Sequence, residues 1–124
     1  MSRRKSKQNL GAWGEARACR ELERRGYVIL DRNWRCAQGE VDIVARDGPT
    51  YAFVEVKTRR THLESPLHAM RPAKVGRLVR LAESYLAQDS VQPGSWRIDW
   101  VGIQVTSDSE QADVTVIQGI GADV

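Results

Sequence analysis

The sequence is poor in metal-binding thiols and imidazoles and in long apolar runs. Among 124 residues there are two cysteines, Cys19 and Cys36, and two histidines, His62 and His68. The cysteines form no CxxC pair and the histidines lie far from them, so a zinc site is not expected. No apolar run approaches the roughly 20 residues needed to cross a bilayer, and none follows the basic first residues as in a signal peptide. We therefore expect a cytoplasmic protein with free thiols and no membrane partner.

The composition is that of an ordinary globular chain with a mild basic bias. Hydrophobic residues make up 41% and charged residues 28%, and the formal net charge is +3. This length fits one domain with its own core. The charge is compatible with a polyanionic partner without requiring one. We expect a disordered basic tail over residues 1–8, a single domain over 9–118 and a C-terminal tail over 119–124.

The hydrophobic periodicity alternates between helix and strand along the chain. A helix is expected from about Asn9 to Arg25, and a second amphipathic helix should begin near Pro72. Gly26 is suited to cap the first helix. The predicted strands cover residues 27–30, 39–46, 51–58, 96–105 and, more weakly, 114–117. The order α-β-β-β-α-β-(β) indicates an α/β sandwich with a mixed sheet.

A hairpin in the middle of the chain places charged residues together. If its turn is centred between Gly48 and Pro49, Asp42 pairs with Glu55 across the two strands, and Glu40 pairs with Lys57. A register shifted by one residue would set Asp42 against the apolar face, which the pattern disfavours. The hairpin therefore predicts two carboxylates side by side with an ammonium group close by.

Two adjacent carboxylates have a functional and a structural interpretation. On the preceding strand, Val41 and Ile43 should share the face opposite the acids. Like charges directly opposite each other destabilise a sheet, and a bound cation would offset this. Oxygen ligands suit Mg²⁺ or Mn²⁺, and Lys57 could orient a water or stabilise charge on a phosphate. The alternative is a polar, solvated face with cross-strand ion pairs.

Several short motifs follow one another in a specific order. They are Gly14-Glu15, Gly26-Tyr27, Asn33-Trp34-Arg35, Gly39-Glu40-Val41-Asp42-Ile43-Val44, Phe53-Val54-Glu55-Val56-Lys57-Thr58-Arg59 and Arg97-Ile98-Asp99. Asp42 with Glu55-Val56-Lys57 resembles the D…ExK core of the PD-(D/E)XK nuclease superfamily. The full set resembles the YraN-like uncharacterised bacterial family, which is similar to archaeal Holliday-junction resolvases. The resemblance implies a restriction-endonuclease-like αβββαβ core with a mixed central sheet flanked by helices.

The resemblance also implies roles for individual residues. Asp42 and Glu55 would bind Mg²⁺ or Mn²⁺, the backbone carbonyl of Val56 would be a further ligand, and Lys57 would be the catalytic lysine. Glu15 would be the first-helix acid that approaches the metal directly or through water. Helical spacing puts this acid on the face that carries Gly11, Ala12, Ala18, Cys19 and Leu22. Its alternative role is a partly exposed acid near the helix start, favoured by the helix dipole.

Basic residues near this segment are candidates for contact with nucleic acid. Arg59 and Arg60 directly follow the ExK strand, where phosphate contact is plausible. In the family pattern a residue of the second helix also reaches the site, and Lys74 is the candidate. It belongs to a basic row that suits either a phosphate backbone or solvent. That row consists of Arg71, Lys74, Arg77 and Arg80.

Other polar residues have structural roles as their simpler explanation. Asp99 is expected to be a buried partner of Arg97 rather than a group behind the site. Glu40 could tune Lys57 or form a cross-strand salt bridge. The histidines are expected to be surface residues, and the four tryptophans core or interface residues rather than groups that stack on bases.

Three functions remain open at this point. The first is a metal-dependent endonuclease that hydrolyses phosphodiester bonds, with structured or branched DNA as the expected substrate by analogy. The second is a nucleic-acid-binding module without catalysis. The acids argue against it, because a surface used only for binding would bind better without groups that repel phosphate. The third is an adaptor in a DNA-processing complex. A homodimer would match a branched substrate, but the sequence shows no diagnostic dimer seam.

Overall fold

The computed structural model describes residues 7–60, 72–105 and 111–120. Within them the chain forms two helices and five strands. The elements are α1 (Lys7–Arg24), β1 (Val28–Cys36), β2 (Gly39–Asp47), β3 (Thr50–Arg59), α2 (Pro72–Leu86), β4 (Trp96–Val105) and β5 (Ala112–Ile117). The predicted α/β class and element order are confirmed, and the architecture is compatible with a restriction-endonuclease-like core.

The five strands form one mixed sheet in the order β1-β2-β3-β4-β5. Neighbouring strands are antiparallel except for β3 and β4, which run parallel. The parallel pair requires a crossover, and α2 lies in that connection. In the β2–β3 hairpin, Asp47 pairs with Thr50 and Ile43 with Val54. This is the register predicted from a turn centred between Gly48 and Pro49.

Helix α1 ends as the sequence predicts, but it begins earlier. Gly26 has a φ of 96°, and the Tyr27 amide donates to the Leu22 carbonyl at 2.9 Å. This is a glycine-capped helix end, in which the left-handed residue turns the chain into β1. The helix starts at Lys7, so the end of the predicted disordered tail is helical. Lysine and glutamine are good helix formers, which accounts for the extension.

Apolar side chains pack on both faces of the sheet. One cluster lies beneath α1 and the other beneath α2. The α1 cluster contains Ala18, Cys19, Leu22, Tyr27, Ile43, Ala45, Ala52, Val54, Val101, Ile103 and Val105. The α2 cluster contains Val41, Val44, Tyr51, Phe53, Leu78, Leu81, Ala82, Tyr85 and Ile98. The sheet is therefore covered on both sides in the described part of the chain.

Strand β1 is longer than predicted and irregular. Its pairing with β2 shifts between Ile29 and Asp31, and Asn33 has a φ of 53°. Asparagine is one of the few residues that adopts this left-handed conformation readily. These irregularities interrupt the alternation that would reveal a strand, which is why the sequence predicted only residues 27–30.

Strand β2 bends opposite Asn33, and one predicted face is wrong there. Trp34 pairs with Val41 and Arg32 with Ile43, but no pair joins Asn33 to Asp42 between them. Val41 packs in the α2 cluster, whereas Ile43 packs in the α1 cluster. The predicted placement of these two residues on one face assumed regular alternation, which fails at the bend.

Some predictions concern residues outside those described. Arg71, His62 and His68 belong to the segment over residues 61–71, and most of the predicted N-terminal tail is outside as well. Both cysteines are described and are free thiols, as expected. No helix in the described ranges is long and apolar enough to cross a membrane.

Candidate functional site

The candidate site lies where β2 and β3 separate. The backbone ladder between these strands ends at the pair Ile43–Val54, one residue before the predicted Asp42–Glu55 pair. Beyond that point the Val56 amide donates to Asp42 Oδ2 at 2.8 Å. The carboxylate of Asp42 thus takes the place of a strand carbonyl. This bond fixes the acid between the two strands.

Asp42 and Glu55 are brought together as the sequence predicted, through their side chains. Glu55 is only 8% exposed, and its side chain is in hydrogen-bonding contact with Asp42. Burial and the charge of Glu55 raise the pKa of Asp42 to about 8, against the opposing effect of the Val56 amide. The two carboxylates therefore do not both carry a full charge at neutral pH without a compensating cation.

Glu15 approaches this pair from α1. The helix comes very close to β3 at Gly14, where an added Cβ would overlap Thr58 Oγ1 and lie 2.9 Å from Thr58 Cβ. The next residue, Glu15, is half-buried and bonds to the side chain of Asn33. Burial raises the pKa of Glu15, and the charge of Glu55 adds to this effect. The glycine contact thus places a third carboxylate within electrostatic reach of the pair.

The helical face predicted for Glu15 is only partly correct. Ala18, Cys19 and Leu22 are buried as expected, but Gly11 and Ala12 are exposed. Leu10 and Trp13 pack against the α1 cluster, so Gly11 and Ala12 lie on the outer side of the helix. Glu15 lies at the border of the buried face rather than within it.

Lys74 also reaches the carboxylates, from α2. Its Nζ lies 3.1 Å from Glu55 Oε2 and 5.5 Å from the centroid of the Trp100 ring. Trp100 is fully buried and is the register neighbour of Glu55 on β4. Its indole N–H has no hydrogen-bond partner in the described structure. Lys74 thus places a positive charge beside the carboxylate of Glu55 and near the ring of Trp100.

Lys57 lies on β3 two residues after Glu55, on the same face by alternation, and is half-buried. The predicted pairing of Lys57 with Glu40 is not found. Glu40 instead accepts a hydrogen bond from Arg35 of β1 at 2.6 Å. The pairing was wrong because β2 has already left β3 at the bend. Among the described residues no ion-pair partner is found for Lys57.

The other described basic candidates lie after Lys57 on the chain and along the outer face of α2. Arg59 ends β3 opposite Gln104 of β4, and Arg60 follows it; both are half-buried. Arg77 and Arg80 are exposed on α2. Of the predicted basic row, Lys74 alone of its described members contacts a carboxylate of the site.

Asp99 has the structural role that was expected. It is fully buried and accepts hydrogen bonds from Arg97 Nε at 2.9 Å and from the Tyr27 hydroxyl at 2.9 Å. The Gly119 amide donates to it as well, at 3.0 Å. Arg97 continues the network to Asp47 at the β2–β3 turn. This network ties the segment after β5 to the core, and none of these hydrogen bonds involves Asp42 or Glu55.

The donor set fits a hard divalent cation that keeps part of its hydration shell. In the described ranges, no three His, Cys, Asp or Glu side chains are grouped so that they could enclose a metal ion. Mg²⁺ is usually held by one or two carboxylates, with waters and substrate phosphate completing its shell. The contact between Asp42 and Glu55 supplies two such carboxylates, and their mutual repulsion favours a cation between them.

Three residues that shape the site were not recognised as such from the sequence. Gly14 permits the close approach of α1, Asn33 bends β1 and binds Glu15, and Trp100 lies beneath Lys74. A glycine inside a helical pattern and an asparagine inside a strand pattern are signals of special backbone positions. The sequence offered no comparable signal for Trp100.

Comparison with known proteins identifies the family. A sequence model described as "Uncharacterised protein family UPF0102" matches residues 14–103. A UPF0102 protein of Streptomyces griseus is 50% identical over 98 residues, covering 77% of this chain and 82% of the relative. A UPF0102 protein of Beutenbergia cavernae is 42% identical over 118 residues, covering 94% of this chain and 99% of the relative. The predicted resemblance is confirmed at this level, and the chain belongs to the uncharacterised protein family UPF0102.

Proposed function

We propose that this protein is a metal-dependent endonuclease of the PD-(D/E)XK type that hydrolyses phosphodiester bonds in DNA. The observation that carries the proposal is the contact between Asp42 and Glu55 at the opening between β2 and β3, with Lys57 on the same strand face. Two adjacent carboxylates, one of them buried, are costly unless a cation or a proton neutralises their charge. Structured or branched DNA is the expected substrate class.

The metal would be held by Asp42 and Glu55. The backbone carbonyl of Val56 and the carboxylate of Glu15 would be further ligands of the metal. Bound Mg²⁺ or Mn²⁺ would supply Lewis-acid stabilisation of the phosphate and activation of a water nucleophile. The Val56 amide keeps Asp42 in position through its 2.8 Å hydrogen bond. Asn33 does the same for Glu15.

Lys57 would stabilise the negative charge that develops on the phosphate or orient the attacking water. Its ammonium group has no ion-pair partner in the described structure, and its stem is half-buried beside Glu55. A positive charge positioned in advance, in a site partly shielded from water, stabilises a charged transition state more than a solvated one. Arg59 and Arg60 continue from the same strand end and are suited to contact the phosphate backbone on either side.

A cleavage assay with a substrate panel tests the proposal. The panel contains linear duplex, single-stranded, flapped and four-way-junction DNA together with RNA, each with Mg²⁺, Mn²⁺ or EDTA. Asp42→Asn and Lys57→Ala are the test variants. Asp113→Asn is the matched control, since Asp113 is an exposed acid on β5.

The expected result is metal-dependent cleavage that is lost in both test variants and kept in the control. The preferred substrate would then establish the class of nucleic acid. If no substrate is cut, or if the test variants cut as well as the wild type, the catalytic proposal fails. Binding without cleavage in the same reactions would favour the non-catalytic module.

A further inference from the structure

Lys74 differs from the other basic residues of α2 in where its charge lies. Its side chain is 24% exposed and its Nζ is 3.1 Å from Glu55 Oε2, whereas Arg77 and Arg80 face solvent. Glu55 is itself buried, with 10% of its side chain exposed. An ion pair shielded in this way is screened less by water and salt than one on the surface.

Lys74 occupies one carboxylate oxygen of the pair that would hold a divalent cation. Glu55 Oε2 is the oxygen that accepts Lys74, and Glu55 also contacts Asp42. An ammonium group at hydrogen-bond distance and a metal ion cannot occupy the same side of one carboxylate oxygen. Their charges have the same sign, and repulsion at such separations is strong in a partly buried site.

The ammonium group of Lys74 has a second contact besides the carboxylate. Nζ lies 5.5 Å from the centroid of Trp100, a distance at which a cation is attracted to the face of an aromatic ring. Trp100 is fully buried and belongs to β4, so this contact is made with the sheet rather than with α2. The side chain can therefore leave Glu55 without losing all its contacts.

We infer that Lys74 is a tethered cation that neutralises Glu55 of the Asp42–Glu55 pair and must leave this carboxylate before a metal ion binds. This inference rests on the proposed function. The release of Lys74 and the binding of the metal are one event. The released ammonium group is then available at the edge of the site for a substrate phosphate. An anion that holds Lys74 away from Glu55 should raise the affinity of the site for metal. By thermodynamic linkage, the bound metal then raises the affinity for that anion by the same factor.

The test is a direct measurement of Mn²⁺ affinity by the loss of the free-ion signal in electron paramagnetic resonance. The full-length protein is used at about pH 8, where protons compete less with metal for carboxylates than at neutral pH. Lys74→Met removes the charge while keeping a long apolar stem over Trp100. Lys74→Arg keeps the charge, and Arg77→Met removes an exposed charge from the next turn of the same helix.

The expected result is that Lys74→Met binds Mn²⁺ at least about tenfold more tightly than the wild type, a change of about 1.4 kcal/mol. Lys74→Arg and Arg77→Met should stay within about twofold of the wild type, since the first keeps the cation and the second removes a solvated one. Melting temperatures of all variants without metal establish that they are folded. If Lys74→Met is unstable, Lys74→Arg remains informative, because Lys74→Arg should bind Mn²⁺ no more tightly than the wild type.

Two other results would overturn the inference, and they differ in meaning. If the wild type binds Mn²⁺ and Lys74→Met binds it equally or more weakly, Lys74 is not a competitor, but the metal site of the proposed function stands. If neither protein binds Mn²⁺, both the inference and the proposed metal site fail. A gain of affinity in Arg77→Met equal to that in Lys74→Met would show a general charge effect and would also refute the specific role.

Discussion

Two glycines of α1 allow a sharp test of how the helix is fixed against the sheet. Gly11 is exposed, and an added Cβ would meet no atom within 4 Å in the described structure. Gly14 is buried, and an added Cβ would overlap Thr58 Oγ1 and lie 2.9 Å from Thr58 Cβ and 3.1 Å from its Cγ2. The same substitution by alanine should therefore have opposite effects at the two positions.

The expected magnitudes follow from helix propensity and from overpacking. Gly→Ala in a helix interior stabilises by about 0.5–1 kcal/mol, which is the whole effect expected at Gly11. At Gly14 the same gain is opposed by an overpacking cost of about 1–3 kcal/mol. A different rotamer of Thr58 cannot remove the conflict with its Cβ, so the cost should lie near the upper end. We expect a net destabilisation of about 2 kcal/mol for Gly14→Ala.

The assay is urea denaturation of both variants and of Gly14→Ala combined with Thr58→Ala. Thr58→Ala removes Oγ1 and Cγ2 and leaves the 2.9 Å contact with Cβ. The double variant should therefore recover about half or more of the loss, giving a coupling energy of about 1 kcal/mol in the cycle. Gly14→Ala should also weaken Mn²⁺ binding, since α1 must move away from β3 and takes Glu15 with it.

Equal effects of Gly11→Ala and Gly14→Ala would refute the reasoning. So would a Gly14→Ala protein that is as stable as the wild type with no coupling to Thr58→Ala. Either outcome would mean that α1 does not approach β3 closely at this point, and the placement of Glu15 would lose its structural basis.

Three further predictions concern single acids. The raised pKa of Asp42 means that its contribution to stability is complete below its ordinary value of 3.8 and is lost as the pH rises through about 8. In EDTA near neutral pH, Asp42→Asn should therefore be about 1 kcal/mol more stable than the wild type and lack this dependence; lower stability would contradict it. Asp99→Ala should lower the free energy of unfolding by about 3–5 kcal/mol, because it leaves the partners of a buried network unpaired. The exposed Asp113→Ala should cost less than about 0.5 kcal/mol. Comparable losses for the two variants in denaturation would refute the role of the network. Hydrogen bonds from Arg24 and Arg25 lower the pKa of Glu21 to about 2, so its contribution to stability is present above pH 4.5 and is lost as the pH falls through about 2. Glu21→Gln should therefore make the free energy of unfolding less dependent on pH in that range. An unchanged pH profile would count against these hydrogen bonds.

Much of the fold followed from local patterns. The end of α1 at Gly26, the start of α2 at Pro72 and the hairpin register depend on residues close in sequence, because capping and turn chemistry act over a few positions. The meeting of Asp42 and Glu55 followed from that register, since the turn sets which residues face each other.

The strand faces and the length of β1 were less predictable. One left-handed residue, Asn33, bends β1, and β2 changes face at Asp42. The sequence records an asparagine there but not whether its backbone takes this conformation, because the packing of the neighbouring strand and of α1 decides it. The misplacement of Val41 and the false pairing of Glu40 with Lys57 have this one cause.

The sequence by itself determined which chemical groups lie on β2 and β3 and that two carboxylates would meet at the hairpin. Only the tertiary structure decided which groups from elsewhere reach them. Glu15 arrives because Gly14 lets α1 touch Thr58, and Lys74 arrives because α2 packs on the opposite face. These contacts join residues far apart in the chain, and their geometry depends on the packing of two whole helices against the sheet, which no local pattern encodes.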